Sequence, residues 1–217
     1  MEVEMIQQEK IVSKSILASI AITFCTYAYL LSISSLIGSL ILSAAFIASS
    51  VYNLNLFTDR VNSLSDSSDF RRLLLILLIN IFTAYIFGIA FTFANNSITI
   101  AANSIVTNRL NTDILTIIIS STVTGFLCSL SFELENRLKL SNLKPSYIIV
   151  ILCTLAIVFA NLPHCIIDMF IYSASSVTFE NFYSVAIRLL LTTLFNFLGC
   201  SLFNVIANKS FMYSRID

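Results

Sequence analysis

The sequence predicts an all-α integral membrane protein of six transmembrane helices, and three observations carry that prediction. Of 217 residues, 57% are hydrophobic and 11% charged, whereas an ordinary soluble domain carries about 25% charged residues. Mean hydropathy is +0.90. The apolar residues also fall into six runs, each of the order of 20 residues, which is the length a bilayer demands.

The runs lie at roughly 11–33, 36–57, 73–95, 113–132, 147–173 and 184–207. Lys10 and Lys14 precede the first, as in a signal peptide. However, that run continues past Ile33 and the next begins at Leu36 without a small-residue cleavage site, so it reads as a span. The second run offers a small face, Ala44-Ala45 and Ala48-Ser49, of the kind that lets helices approach closely in lipid. Between the second and third lies a polar segment, 59–72, which holds Asp59, Arg60, Asp66, Asp69, Arg71 and Arg72. Segment 133–146 and the tail after Ala207 are also polar. Tyr147, Tyr172 and Tyr183 stand near span ends, where tyrosine anchors at the interface. With linkers this short, residues 1–217 read as a single membrane channel domain of two three-span repeats, about 11–95 and 113–207.

The basic residues orient the chain. With both termini in the cytoplasm, Lys10, Lys14, Arg60, Arg71, Arg72, Arg137, Lys139, Lys144, Lys209 and Arg215 fall inside; only Arg109 and Arg188 fall outside. That asymmetry follows the positive-inside rule. Net charge is zero and no basic stripe suggests nucleic acid. Cys25, Cys128, Cys153, Cys165 and Cys200 lie singly in apolar runs, as small packing residues do. There is no Gly-x-Ser-x-Gly, no HExxH and no second histidine, so no enzyme, metal or cofactor is expected.

The second and fifth runs are interrupted. The second meets Asn53, Asn55 and Thr58; the fifth meets Asn161, Pro163 and His164 before resuming at Cys165. Proline breaks a helix by removing a donor and clashing with the preceding turn. Broken helices at matching places in two halves point to an inverted repeat with a site between them. His164 is the one histidine in the chain. It is either an ionisable group of the passage, titrating near neutral pH in water, or a packing histidine bonded to a carbonyl that Pro163 frees. Asp168, one helical turn on, either orients His164 or faces water. Thr58 is either a donor in the passage or a helix cap. Arg60 either draws anions to the mouth or snorkels to the interface.

These residues carry a resemblance to the formate/nitrite transporter family. Gly38-Ser39, Ser43 and Leu56-Phe57-Thr58 resemble its Gly-Gly…Phe-Ser…Leu-Phe-Thr pattern. His164-Cys165-Ile166-Ile167-Asp168-Met169-Phe170 is similar to its Glu-His-Ser/Cys-x-Ala-Asn/Asp-Met-Phe signature. Asn196-Phe197-Leu198-Gly199-Cys200-Ser201-Leu202 resembles its Gly-Asn-x-x-Gly-Gly-x-Leu run.

The resemblance implies an aquaporin-like fold of inverted three-helix repeats with helices two and five broken. It implies a homopentamer in the lipid of a cell inner membrane, each subunit passing a small monovalent anion such as formate, nitrite or hydrosulfide. Thr58 and His164 would form the central polar pair. Leu56 and Phe57 would border one constriction, and Leu127 and Ile157 the other. Thr124 stands where the family has a fourth-span Asn, and Pro163 and Asn161 replace its Glu and Gly. The family's fourth-span lysine is absent, with Arg109 close by. The expected mechanism is proton-linked: the anion meets His164, takes up a proton and crosses as the neutral acid, with Thr58 bonding its oxygen. Two alternatives remain open at this point, a substrate-binding subunit of a larger importer and a transport-inactive member.

Overall fold

The computed structural model describes residues 2–61, 67–140 and 147–213. Asn62, Ser63, Ser65, Asp66, Lys144 and Arg215, part of the polar segments above, lie outside the described residues. Ten helices follow in order among those described: α1 (Glu2–Leu30), α2 (Ser35–Val51), α3 (Phe57–Arg60), α4 (Ser67–Ala94), α5 (Ser97–Asn111), α6 (Ile114–Leu140), α7 (Tyr147–Phe159), α8 (Cys165–Ala174), α9 (Val177–Glu180) and α10 (Phe182–Tyr213).

Four of them, α1, α4, α6 and α10, are long and apolar enough to cross a membrane. The second and fifth expected spans are each split, into α2 and α3 and into α7 and α8. Helix α5 was not expected. Its sequence mixes Asn, Ser and Thr with apolar residues, so its hydropathy does not mark a span. Ile98, Ala102 and Val106, four residues apart, still make one buried face, and Arg109 is buried with them. The polar segment after residue 132 is helical as far as Leu140, where α6 ends.

Packing is inverted relative to a soluble protein. Phe82, Phe93, Leu115, Leu152 and Leu190 are exposed, as lipid-facing side chains are. Ser15, Ser19, Thr23 and Thr26 form a fully buried stripe on α1. Each of these hydroxyls donates to a carbonyl three or four residues back, so none enters the interior unsatisfied. On α2, Ala45 and Ser49 of the small face are buried while Ala44 is exposed. Four of the cysteines are buried and Cys25 is partly so.

Helices α6 and α10 cross closely because glycine removes the side chains between them. A Cβ on Gly125 would strike the Asn196 carbonyl, and one on Gly199 the Thr122 carbonyl. The obstacle in each case is backbone, which cannot swing aside. Gly199→Ala should therefore force the pair apart and cost about 1–3 kcal/mol. A lower thermal midpoint of the detergent-solubilised protein would show it, and an unchanged midpoint would refute it.

Candidate functional site

The two breaks are built alike. At the first, the Asn53 N–H bonds Ser50 O at 3.2 Å and the Leu54 N–H bonds Ser49 O at 2.8 Å. At the second, the Asn161 N–H bonds Val158 O at 3.0 Å and the Leu162 N–H bonds Ile157 O at 2.9 Å. Both patterns are Schellman motifs, which need a left-handed residue after the helix. Asn53 and Asn161 supply it, with φ of 54° and 49°. Asparagine is among the few side chains other than hydrogen that tolerate that region.

The chain then restarts as a helix, and a buried asparagine from a long helix closes each gap. Asn80 of α4 accepts from the Phe57 N–H at 2.9 Å and donates to Asn55 O at 3.2 Å and Ser15 O at 2.9 Å. Asn196 of α10 accepts from the Cys165 N–H at 2.9 Å and donates to Pro163 O at 3.2 Å and Ser121 O at 2.8 Å. One amide thus satisfies the new helix N-terminus, the broken strand of chain before it, and a neighbouring long helix. Leu56 and His164 hold equivalent positions as the extended caps of α3 and α8.

This geometry brings the predicted central pair together. Thr58 Oγ1 lies 3.5 Å from His164 Nε2, at the outer limit of a hydrogen bond. Both residues are almost fully enclosed. Phe46 packs on the imidazole with ring centroids 5.7 Å apart and ring planes 79° apart. His164 Nδ1 has no hydrogen-bond partner. The Cys200 thiol donates to Gly125 O at 3.2 Å and reaches Thr58 O at 3.5 Å. Leu56 and Phe57 are buried at the first break and Ile157 is buried on α7. Leu127 is half-buried on α6. The buried Thr124 hydroxyl donates to Ser120 O of its own helix at 2.9 Å.

Asp168 does not turn its carboxylate to His164. Only its backbone N–H bonds His164 O, at 2.7 Å, while Oδ1 lies 3.7 Å from Arg109 Nη2. Arg109 Nη1 donates to Asn161 O at 2.6 Å. At the first break Arg60 Nη2 does the same for Asn53 O at 3.1 Å and Leu54 O at 2.9 Å. Each helix C-terminus that ends inside the molecule therefore meets a guanidinium, which offsets its partial negative charge. Arg188 of α10 holds α5 in place through Arg109 O at 2.8 Å, Leu110 O at 2.6 Å and Thr112 O at 3.0 Å. Beside the second break lies a cavity of about 30 Å³ whose walls include Tyr29, Leu42, Arg109, Ile157, Asn161 and Asp168. That volume holds a water-sized species with room to spare. Among the described residues, no group of three His, Cys, Asp or Glu is placed to hold a metal ion.

Asn80 and Arg188 were not singled out from sequence; Arg109 entered only beside the family's missing lysine, and Asn196 only as part of the sixth-span motif. For the asparagines a signal existed. Each is a lone amide inside an apolar run, Ile79-Asn80-Ile81 and Phe195-Asn196-Phe197, and a polar side chain at that depth needs a partner.

No protein-family model and no curated protein matches the sequence. The fold does match solved structures. It is similar to a pentameric formate channel with formate bound, with a TM-score of 0.71, 17% identity, and 95% of each chain covered. It is also similar to an FNT family ion channel, with a TM-score of 0.73, 14% identity, and 93% of this chain and 88% of that one covered.

Replacing the bridging amide tests how the second break is held. Asn196→Leu leaves the Cys165 N–H and the Pro163 and Ser121 carbonyls without that partner, at about 1–3 kcal/mol for each buried group so orphaned. Thr193→Val removes a hydroxyl that bonds only its own helix at Leu189 O. Thermal unfolding in detergent should show a large fall for the first and a small one for the second; equal falls would contradict the bridge.

Proposed function

We propose that the chain is a channel, assembled as a homopentamer, that passes a small monovalent anion or its conjugate acid, of the formate, nitrite or hydrosulfide class. The observation that carries this reading is the His164–Thr58 contact, made between the two breaks at 3.5 Å and walled by apolar groups. The channels that share this fold, one of them with formate bound, support it. In this reading the repeats run about 11–95 and 113–207, both termini lie in the cytoplasm, and the chain resides in a cell inner membrane.

The physical problem is charge. A bare anion entering an apolar constriction loses its hydration at a cost the walls cannot return. A weak-acid anion has another route, because adding a proton removes the charge. The enclosure around Leu56, Phe57 and Phe46 is apolar, and apolar walls oppose a hydrated ion far more than a small neutral acid. His164 supplies a nitrogen that both donates and accepts protons according to its tautomer, and Nδ1 is free to do so. Thr58 supplies a hydroxyl to the passing oxygen or sulfur. Arg60 and Arg109 offset the inward carbonyl ends of α2 and α7, which would otherwise repel an anion.

One observation favours a second reading, a transport-inactive member. His164 and Thr58 are enclosed, and neither is among the walls of the cavity beside the second break. Flux decides between the two. Proteoliposomes should show pH-dependent uptake of formate, nitrite or hydrosulfide. His164→Ala should lower it about tenfold or more and flatten its pH dependence. No uptake by a monodisperse oligomer would favour the inactive reading. Uptake unaltered by the mutation, in rate and in pH dependence, would remove His164 from the mechanism.

A further inference from the structure

Four of the five cysteines, scattered singly along the sequence, gather in space around the central pair. The Cys200 thiol of α10 lies 3.2 Å from Gly125 O and 3.5 Å from Thr58 O. Cys128 of α6 reaches the Thr58 side chain and neighbours Cys165, Cys200 and, from α7, Cys153. Cys165 directly follows His164 at the start of α8 and neighbours Cys200. Cys128, Cys165 and Cys200 are each 2% exposed or less. Four helices thus bring a thiol to one place, where alanine or valine would serve packing as well. Among the described residues these thiols do not form a metal site.

The enclosure offers few strong hydrogen bonds beside them. His164 Nδ1 is enclosed without a partner, and the Thr58 hydroxyl stands 3.5 Å from Nε2. Phe46 covers the ring, and Leu56 and Phe57 form the wall that leads to Thr58. Thr124, one turn before Cys128, spends its hydroxyl on Ser120 O. A solute held here therefore meets one hydroxyl, one ring nitrogen, hydrocarbon and sulfur. A thiol is a weak donor and a weak acceptor, but it is polarisable.

We propose that Cys128, Cys165 and Cys200 determine specificity at the centre of the passage, favouring hydrosulfide, in its protonated form hydrogen sulfide, over the oxygen acids formate and nitrite. The proposal rests on the channel reading and names the substrate within it. In the neutral form that crosses an apolar constriction, formic and nitrous acids still carry polar oxygens that water had bonded. One hydroxyl and one imidazole nitrogen cannot replace all of those bonds, and a polar oxygen left unmet away from water is costly. Hydrogen sulfide has one heavy atom and bonds water weakly, so it gives up little on entry. Close contact with sulfur then adds dispersion attraction. Serine at the same three positions would reverse the preference, because hydroxyls would meet the oxygens of an oxygen acid.

The test uses the full-length protein in proteoliposomes, with hydrosulfide and formate as probes. One alkaline pH keeps sulfide chiefly as the anion, and protein-free liposomes give the leak to subtract. Wild type should pass hydrosulfide about tenfold or more faster than formate. Cys128→Ser with Cys200→Ser exchanges two thiols for hydroxyls of nearly the same shape. It should raise formate flux relative to hydrosulfide flux about tenfold. Cys128→Ala with Cys200→Ala removes the sulfur without adding a donor, and its formate flux should not exceed that of wild type. Both probes are read on each variant at the same pH, so acid strength and the amount of folded protein cancel when ratios are compared. A ratio that the serine variant leaves unchanged would reduce the thiols to packing and overturn the proposal. If the double variant does not assemble, Cys165→Ser decides: its ratio should move the same way, and an unmoved ratio overturns the proposal. Formate passing through wild type as fast as hydrosulfide would also overturn it and leave the channel reading standing. Wild type that passes neither probe, nor nitrite, would overturn the channel reading and the proposal with it.

Discussion

Everything in this fold depends on the fact that a backbone group inside a membrane has no water to bond. A continuous helix solves that internally, but a broken one strands the groups on either side of the gap. The protein breaks two helices and meets the same requirement twice by the same means. A left-handed asparagine closes the helix that ends, an amide from a long helix caps the helix that begins, and a guanidinium answers the carbonyl at the junction. The polar contact between Thr58 and His164 exists only because those devices bring α3 and α8 to one place. Without them the first break, which contains no proline, would have no reason to persist, since that helix could regain its lost bonds by straightening.

The two breaks reach that result with different parts. Arg60 sits on α3, immediately after the first break, and caps it from within the same segment. At the second break the cap comes from α5, a separate helix, and Asp168 on α8 faces it. A buried pair of this kind adds little stability for its own sake, because desolvating two charges offsets most of their attraction. Removing one partner, however, leaves the other uncompensated. The pair therefore specifies where α5 docks more than how firmly the molecule folds.

The class of fold, the positions of both breaks and the Thr58–His164 meeting were legible in the sequence, because hydropathy, proline chemistry and the runs around Leu56 and His164 are local signals. Helix α5 was not, because Asn, Ser and Thr interrupt its apolar residues and keep its hydropathy below that of a span. The relation of Asp168 to His164 was also misleading in sequence. A spacing of four places side chains together only when both residues are helical. His164 is instead an extended cap, with φ of −126° and ψ of 123°, so its ring departs from the face that Asp168 follows. The long-range bridges from Asn80 and Asn196 could be suspected from two lone amides, but their partners lie on other helices and no spacing reveals them.

The direction of the two amide bridges bears on how the chain is made. Asn80 satisfies groups at Ser15, Asn55 and Phe57, and Asn196 satisfies groups at Ser121, Pro163 and Cys165. Every partner precedes its asparagine in the sequence. As the polypeptide leaves the ribosome, each closing amide is synthesised after the groups that await it. The first set can be completed before the second has been translated. Biogenesis can thus proceed in two sealed stages, with the exposed backbone of each break waiting only for the next long helix to arrive.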